Sequence, residues 1–206
     1  MWFLFINIVL AQPSHQTILI PPPTEPVAET PPSLPNQTVY GYLPYWTTDP
    51  IDLSMSGLSH IAYFSAELNS DGTLSHTSRW ENDAPILVSR AHDAGVKVHL
   101  CITAFSDSII NAFLPYANRR SVAISSIKDL ITQYNADGVN IDIEGMDPSQ
   151  RTNFNNFIAE LSIEVPEIVI ATPAVDWHDA YDYATLATYA DLFIMGYDYH
   201  WSGGEP

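Results

Sequence analysis

The chain has 206 residues, enough for one well-cored domain, and carries 24 acidic against 7 basic side chains, a formal net charge of -17. That charge argues against nucleic acid or an anionic membrane surface as a partner and leaves neutral polymers open. Charged residues make up only 15% of the sequence and apolar residues 46%, so the acidity reflects a shortage of Lys and Arg in an otherwise globular composition.

Met1 to Ala11 form an apolar run too short to cross a bilayer and of the length of a secretory h-region, although no basic residue precedes it. Gln12 to Gln37 are dominated by Pro, Thr and Ser, including Pro21-Pro22-Pro23 and Pro31-Pro32, and read as an extended linker. The expected organisation is a signal peptide over 1–11, a stalk over 12–37 and a globular domain over 38–206, secreted or held at the cell envelope. An ordinary disordered terminus explains the Pro-rich part equally well.

Beyond the linker, short apolar runs alternate with amphipathic segments. The runs predict strands over Val39 to Leu43, Leu58 to Phe64, Val96 to Thr103, Gly138 to Glu144, Glu167 to Thr172 and Ala190 to Tyr197. Between them, Pro85 to Ala94 is a helix closed by Gly95, Ile124, Ile127 and Ile131 recur at helical spacing, and Phe154, Phe157, Ile158 and Leu161 form a second stripe. Such alternation predicts a parallel sheet, either open and doubly wound or closed as a (β/α)8 TIM barrel. No glycine-rich phosphate loop follows the first strand. Aromatic and polar residues instead gather at strand C-termini, where a barrel builds its site: Tyr45 and Trp46, Asp142 and Glu144, then Tyr197, Asp198, His200 and Trp201. Six strands in roughly 170 residues fall short of the about 250 of a complete barrel, so the expectation is a TIM barrel truncated after strand six, a fragment of a longer product. The single cysteine, Cys101, lies in the apolar run Val98 to Ile102 and reads as a small core residue.

The segment Asp137-Gly138-Val139-Asn140-Ile141-Asp142-Ile143-Glu144 is the most informative. On a strand, Val139, Ile141 and Ile143 share one face, and Asn140, Asp142 and Glu144 share the other, with Asp142 and Glu144 about 6.6–6.8 Å apart along the chain. At that spacing one carboxyl tunes its neighbour, because ionising the first disfavours ionising the second. A solvated edge, a hard-cation site and a strand-end polar network are the competing readings. The buried β-branched face speaks against the first, and the flanks lack the spacing of a calcium loop. The pattern favours glycoside hydrolysis by a carboxylate pair.

These residues resemble the Asp-x-x-Asp-x-Asp-x-Glu signature of family 18 glycoside hydrolases, the chitinase-like group. Met195-Gly196-Tyr197-Asp198 resembles that family's sixth-strand motif, Gly41-Tyr42-Leu43-Pro44-Tyr45-Trp46 its first strand, and His60-Ile61-Ala62-Tyr63-Phe64 its second. The resemblance implies a substrate-assisted retaining mechanism in which the sugar's N-acetyl group is the nucleophile. Glu144 would protonate the glycosidic oxygen and later activate water, Asp142 would accept the acetamido N–H, and Tyr197 would donate to the acetamido oxygen, with Asp198 completing the polar wall. Trp46 and Trp201 would be sugar-stacking platforms or rim packing, and Tyr42, Asn140 and Met195 would complete the substrate-facing set, Met195 chiefly by packing. Asp137 lies off that face and reads as structural. The motif's second acid is Asn140 here, which should ease the ionisation of Asp142 while leaving it a hydrogen-bonding neighbour.

The implied partner is a polysaccharide containing N-acetylglucosamine, chitin-like in the first instance, with a monomer as the working form of the whole protein. No cofactor and no metal are implied, and no membrane contact beyond export. The usual Ser-x-Gly-Gly of the third strand is absent around Thr103-Ala104-Phe105-Ser106, which points toward peptidoglycan, spore-wall or glycoprotein glycans as alternative substrates. A non-catalytic glycan-binding barrel is the other class, though such relatives usually lose the terminal acid that Glu144 retains.

Overall fold

The computed structural model describes residues 37–47 and 49–196. The apolar start, nearly all of the Pro-rich segment and Tyr197, Asp198, His200 and Trp201 lie outside the described residues. The parallel strands are β1 (Tyr40–Pro44), β2 (His60–Leu68), β4 (Lys97–Ala104), β5 (Gly138–Ile143), β6 (Ile168–Pro173) and β7 (Asp191–Met195). They pair in chain order, each strand beside the next, and a two-residue strand β3 (Leu74–Ser75) folds back antiparallel on β2. All six predicted strands are therefore present. The helices α1 (Thr77–Asp93), α2 (Asp107–Phe113), α3 (Ala117–Tyr134), α4 (Arg151–Glu164) and α5 (Tyr183–Leu186) connect them.

The sheet is two-faced because strand side chains alternate. One face, carrying Val98, Leu100, Ile102, Val139, Ile141, Ile143 and Ile170, is almost fully buried beneath the helices, against Leu87, Ile127, Phe154 and Phe157. The other face holds a second cluster of Tyr40, Ala62 and Val169 with Tyr42 and Phe193 packed against it. That cluster shows that the sheet curls. Tyr40 and Tyr42 come from the first strand and Phe193 from the last, yet their ring centroids are 5.5 and 5.7 Å apart. A flat six-stranded sheet would hold those edges about 24 Å apart at 4.7–4.9 Å per strand. The architecture is a curled parallel sheet wrapped by helices, six strands of a (β/α)8 barrel.

Helix α1 begins eight residues before the predicted Pro85 start. Its buried stripe is Trp80, Ala84, Leu87, Val88 and Ala91, a 3–4 spacing that leaves Pro85 on the exposed side of the helix. Helices α3 and α4 are clipped by Arg120, a buried guanidinium that donates to both Glu160 oxygens at 2.9 and 2.7 Å and to the Leu114 carbonyl.

Gly138, at the start of β5, is required by close approach: a Cβ there would lie 2.3 Å from the Glu167 carbonyl oxygen and 2.9 Å from its carbon. Both neighbours are backbone and cannot swing aside. Gly138→Ala is expected to lose roughly 2–3 kcal/mol of stability, read as a lowered denaturation midpoint at unchanged slope, whereas Gly57→Ala, where a Cβ meets no atom within 4 Å, carries only the cost of its positive φ.

Candidate functional site

Strand β5 builds the site. Its outward residues Val139, Ile141 and Ile143 anchor it under the helices, which fixes Asn140, Asp142 and Glu144 on the concave face. The Glu144 amide donates to the Ala104 carbonyl at 3.0 Å, so the pairing with β4 holds the chain to this residue, and Gly145, at φ +73°, then turns it away. Asp137 acts where the sequence places it. Its carboxylate accepts from the Val98 amide at 2.7 Å and meets His92 Nε2 at 2.9 Å, tying the beginning of β5 to β4 and α1.

Asp142 is the unusual group. It is only 6% exposed, and its Oδ1 meets no hydrogen-bond partner among the described residues. Across the register sits Thr103, whose hydroxyl is engaged by Ser65 and the Ala66 carbonyl, each at 3.3 Å. Burial raises the Asp142 pKa to about 7, with the charge of Glu144 and a hydrogen bond to it acting in the same direction. Near neutral pH the two carboxyls thus share a proton, as the spacing on the strand predicts. Asn140 adds no charge beside Asp142, and desolvation is the largest cause of the raised pKa. Asn140 also serves other groups: its Oδ1 accepts from Tyr42 at 3.3 Å and from the Cys101 thiol at 3.2 Å, and its amide reaches the Val169 carbonyl. Asn140 and Tyr42 therefore lie one layer beneath Asp142, fully buried in the case of Asn140, and support the pair from below.

Above that layer a cleft of about 480 Å³ opens at the C-terminal ends of β5, β6 and β7, lined by Glu144, Asp176, Trp177, His178, Tyr181 and Met195. Met195 is buried at its wall, at the end of β7. Trp46 stands at the same end of the sheet, mostly exposed, edge-on to Tyr45 and Phe64, and Phe64 in turn stacks on Phe105. Tyr197, Asp198 and Trp201 are outside the described residues.

Sequence reasoning missed three contributors. Tyr181 is buried, donates to the Ile143 carbonyl at 2.6 Å, and has its pKa raised by burial and by the charges of Glu144 and Asp142. It backs the strand end that carries the acids. Trp177, 83% exposed at the cleft, follows the fifth parallel strand, so the strand-end aromatic rule that found Trp46 could have found it. Phe105 completes the aromatic rim in the same way.

The raised pKa fixes a sign for stability. Between its ordinary value of 3.8 and about 7, Asp142 binds a proton in the native state that the unfolded chain has released, so stability falls as pH rises across this window. Asp142→Asn is expected to melt with the wild type at pH 4 and about 10 °C above it at pH 8, measured by thermal denaturation at both pH values.

The model of the family described as "Glycosyl hydrolases family 18" matches residues 38–205. A cortical fragment-lytic enzyme of Bacillus cereus is 26% identical over 169 residues, covering 72% of this chain and 37% of that protein. The crystal structure of the Bacillus cereus spore cortex-lytic enzyme SleL aligns with a TM-score of 0.66 at 25% identity, covering 81% of this chain and 42% of that one. Catalytic domain 2 of an Ostrinia furnacalis Group II chitinase aligns with a TM-score of 0.69 at 21% identity, over 78% of this chain and 50% of that one, and shows the fold. The chain spans between 27% and 37% of the length of the first curated relatives it matches.

Proposed function

Because this chain belongs to the glycosyl hydrolases of family 18, we propose that the protein hydrolyses β-1,4 glycosidic bonds of polymers containing N-acetylglucosamine, by a substrate-assisted retaining mechanism. The observation that carries this reading is Asp142 Oδ1, a buried acceptor with no partner among the described residues, next to Glu144, which lines the cleft. A buried polar atom left unpaired costs free energy and calls for a donor. The acetamido N–H of a bound sugar is such a donor. Its capture aligns the carbonyl oxygen on the anomeric carbon, so the nucleophile arrives pre-positioned, an effect that can lower a barrier by several kcal/mol.

In the first step the proton shared by the acid pair leaves from Glu144 to the glycosidic oxygen as the C1–O bond breaks and the acetamido oxygen closes on C1. Asp142, ionised as the oxazolinium forms, stabilises its positive charge. Glu144, now a carboxylate, takes a proton from the water that attacks C1, and the sugar emerges with its original anomeric configuration. Tyr197 is assigned the hydrogen bond to the acetamido oxygen, with Asp198 beside it, and Trp46, Trp177 and Trp201 the stacking of sugar rings on the rim.

Among polymers with this sugar, peptidoglycan of the spore-cortex type is the substrate we favour. Cortical fragment-lytic enzymes of two Bacillus species match over 72% of this chain and the spore cortex-lytic enzyme structure over 81%, while a "putative chitinase" domain of Desulfitobacterium hafniense, 27% identical over 72% of the chain, makes chitin the second arm of the test. A wall polymer also fits the exported reading of residues 1–37.

The test is product analysis of the wild type beside Glu144→Gln on peptidoglycan and on N-acetyl-chitooligosaccharides, with the first-formed anomer read by NMR. The wild type is expected to release β-anomeric N-acetylglucosamine ends, from peptidoglycan faster than from chitin oligomers, and the variant to be slower by about 10²- to 10⁴-fold. Equal rates for the two proteins overturn the assignment, and saturable binding with no cleavage by either moves the protein to the glycan-binding class.

A further inference from the structure

The opposite end of the barrel carries a second constellation that the chemistry of Asp142 and Glu144 does not use. His60 is the first residue of β2, His99 the third of β4, and Glu167 the residue just before β6. Among the described residues, these three are the group of His, Cys, Asp or Glu side chains whose ligand atoms all fall within 4.8 Å of one another. Both imidazoles aim the same atom at the same oxygen: His99 Nε2 lies 3.3 Å and His60 Nε2 3.8 Å from Glu167 Oε2.

The other ring nitrogens are already held. His60 Nδ1 meets the Ser59 hydroxyl at 2.8 Å and His99 Nδ1 the Tyr40 hydroxyl at 3.0 Å. The Ser59 hydroxyl also lies 3.1 Å from the Val39 carbonyl. With its proton spent there, His60 Nδ1 is the donor to Ser59, and its Nε2 presents a lone pair toward Glu167. A hydrogen-bonding partner on the far nitrogen, which orients the ring, is the kind of outer support that metal-ligating histidines have.

We propose that His60, His99 and Glu167 form a binding site for a divalent transition-metal ion, zinc in the first instance, which ties β2, β4 and the start of β6 together at the N-terminal end of the barrel. The donor set is two imidazoles and one carboxylate, a zinc set with its fourth position open. The spacing agrees: zinc bonds of about 2.0–2.1 Å in a tetrahedron place ligand atoms about 3.3 Å apart, against the observed 3.3 and 3.8 Å. The fourth position faces a cavity of about 920 Å³ lined by these residues together with Tyr40, Asp191 and Phe193, which leaves room for water.

The protonation states suit the ion. Burial lowers the pKa of His60, and pushes that of His99 to about 4, so both rings are neutral ligands at pH 7. Burial works against the ionised form of Glu167, but Lys97 and His99 outweigh it and hold the carboxyl below its usual range. Lys97 pairs with the other carboxylate oxygen, Oε1, and leaves Oε2 to the histidines. Gly138 explains how Glu167 comes so close: it pairs with His99 in the register between β4 and β5, and a Cβ on it would lie 2.8 Å from that of Glu167. The role assigned is structural, since the end of a barrel away from the strand C-termini serves stability rather than chemistry.

The test titrates chelator-stripped, tag-free protein with ZnCl2 by calorimetry, and with CoCl2 by visible absorption, for the wild type, His60→Ala and Glu167→Gln. His60 and Glu167 are partly exposed, so neither change hollows the core. Expected are one equivalent of Zn²⁺ bound by the wild type, the absorption of tetrahedral Co²⁺, and an affinity weakened by about 100-fold or more in both variants. Absence of stoichiometric binding by the wild type, or an affinity unchanged in either variant, overturns the site.

Discussion

Keeping a carboxyl group inside a parallel sheet is the constraint to which the rest of this structure answers. Asp142 sits on the concave face, almost without solvent, one oxygen without a partner among the described residues and a second acid beside it. Left to itself, β5 would shed this group to water, because a buried carboxyl stays only where surrounding packing outweighs its desolvation. That packing is on the other face of the same strand. Val139, Ile141 and Ile143, each at most 1% exposed, lock β5 beneath α3 and α4, and alternation along the strand then leaves Asp142 no choice of side.

Curling of the sheet turns this local strain into a site. A flat sheet would leave the Asp142 face open, where water would partner both oxygens and return the pKa toward the ordinary carboxylate range. Tyr40 and Tyr42 meeting Phe193 across the concave face close the interior. Beneath Asp142, the Tyr42, Cys101 and Asn140 hydrogen bonds fill a polar layer without supplying it a partner. Tyr181 then fixes the strand end by its bond to the Ile143 carbonyl. The same curvature gathers the strand beginnings at the other end, which is how His60, His99 and Glu167, distant in the chain, come to share one carboxylate oxygen.

The alternation of strands and helices was legible because it is written in local periodicity: all six parallel strands lie where apolar runs predict them, and the helical stripes of α3 and α4 pack inward as spaced. The acid pair was legible for the same reason, since parity alone puts Asp142 and Glu144 on one face. What failed was information carried by the third dimension. Pro85 read as a helix start because sequence cannot say that it lies on the exposed side of a longer helix. Asn140 read as a neighbour of Asp142, since nothing along the chain shows that Tyr42, 98 residues away, takes its oxygen. Glu167 and the two histidines carry no spacing signal at all, because two strands and the residue before a third supply them. Tyr181 was hidden in a loop with no period to mark it.

The claim at the centre of this account is that burial and a neighbouring acid hold a proton on Asp142 near neutral pH. It is tested most directly by following the Asp142 carboxyl carbon through a pH titration by ¹³C NMR, in the wild type and in Glu144→Gln. The account predicts a titration near 7 in the wild type and a lower midpoint in the variant, still above that of an ordinary aspartate because burial remains when the charge is gone. A wild-type midpoint near 3.8, unmoved by the substitution, would contradict it.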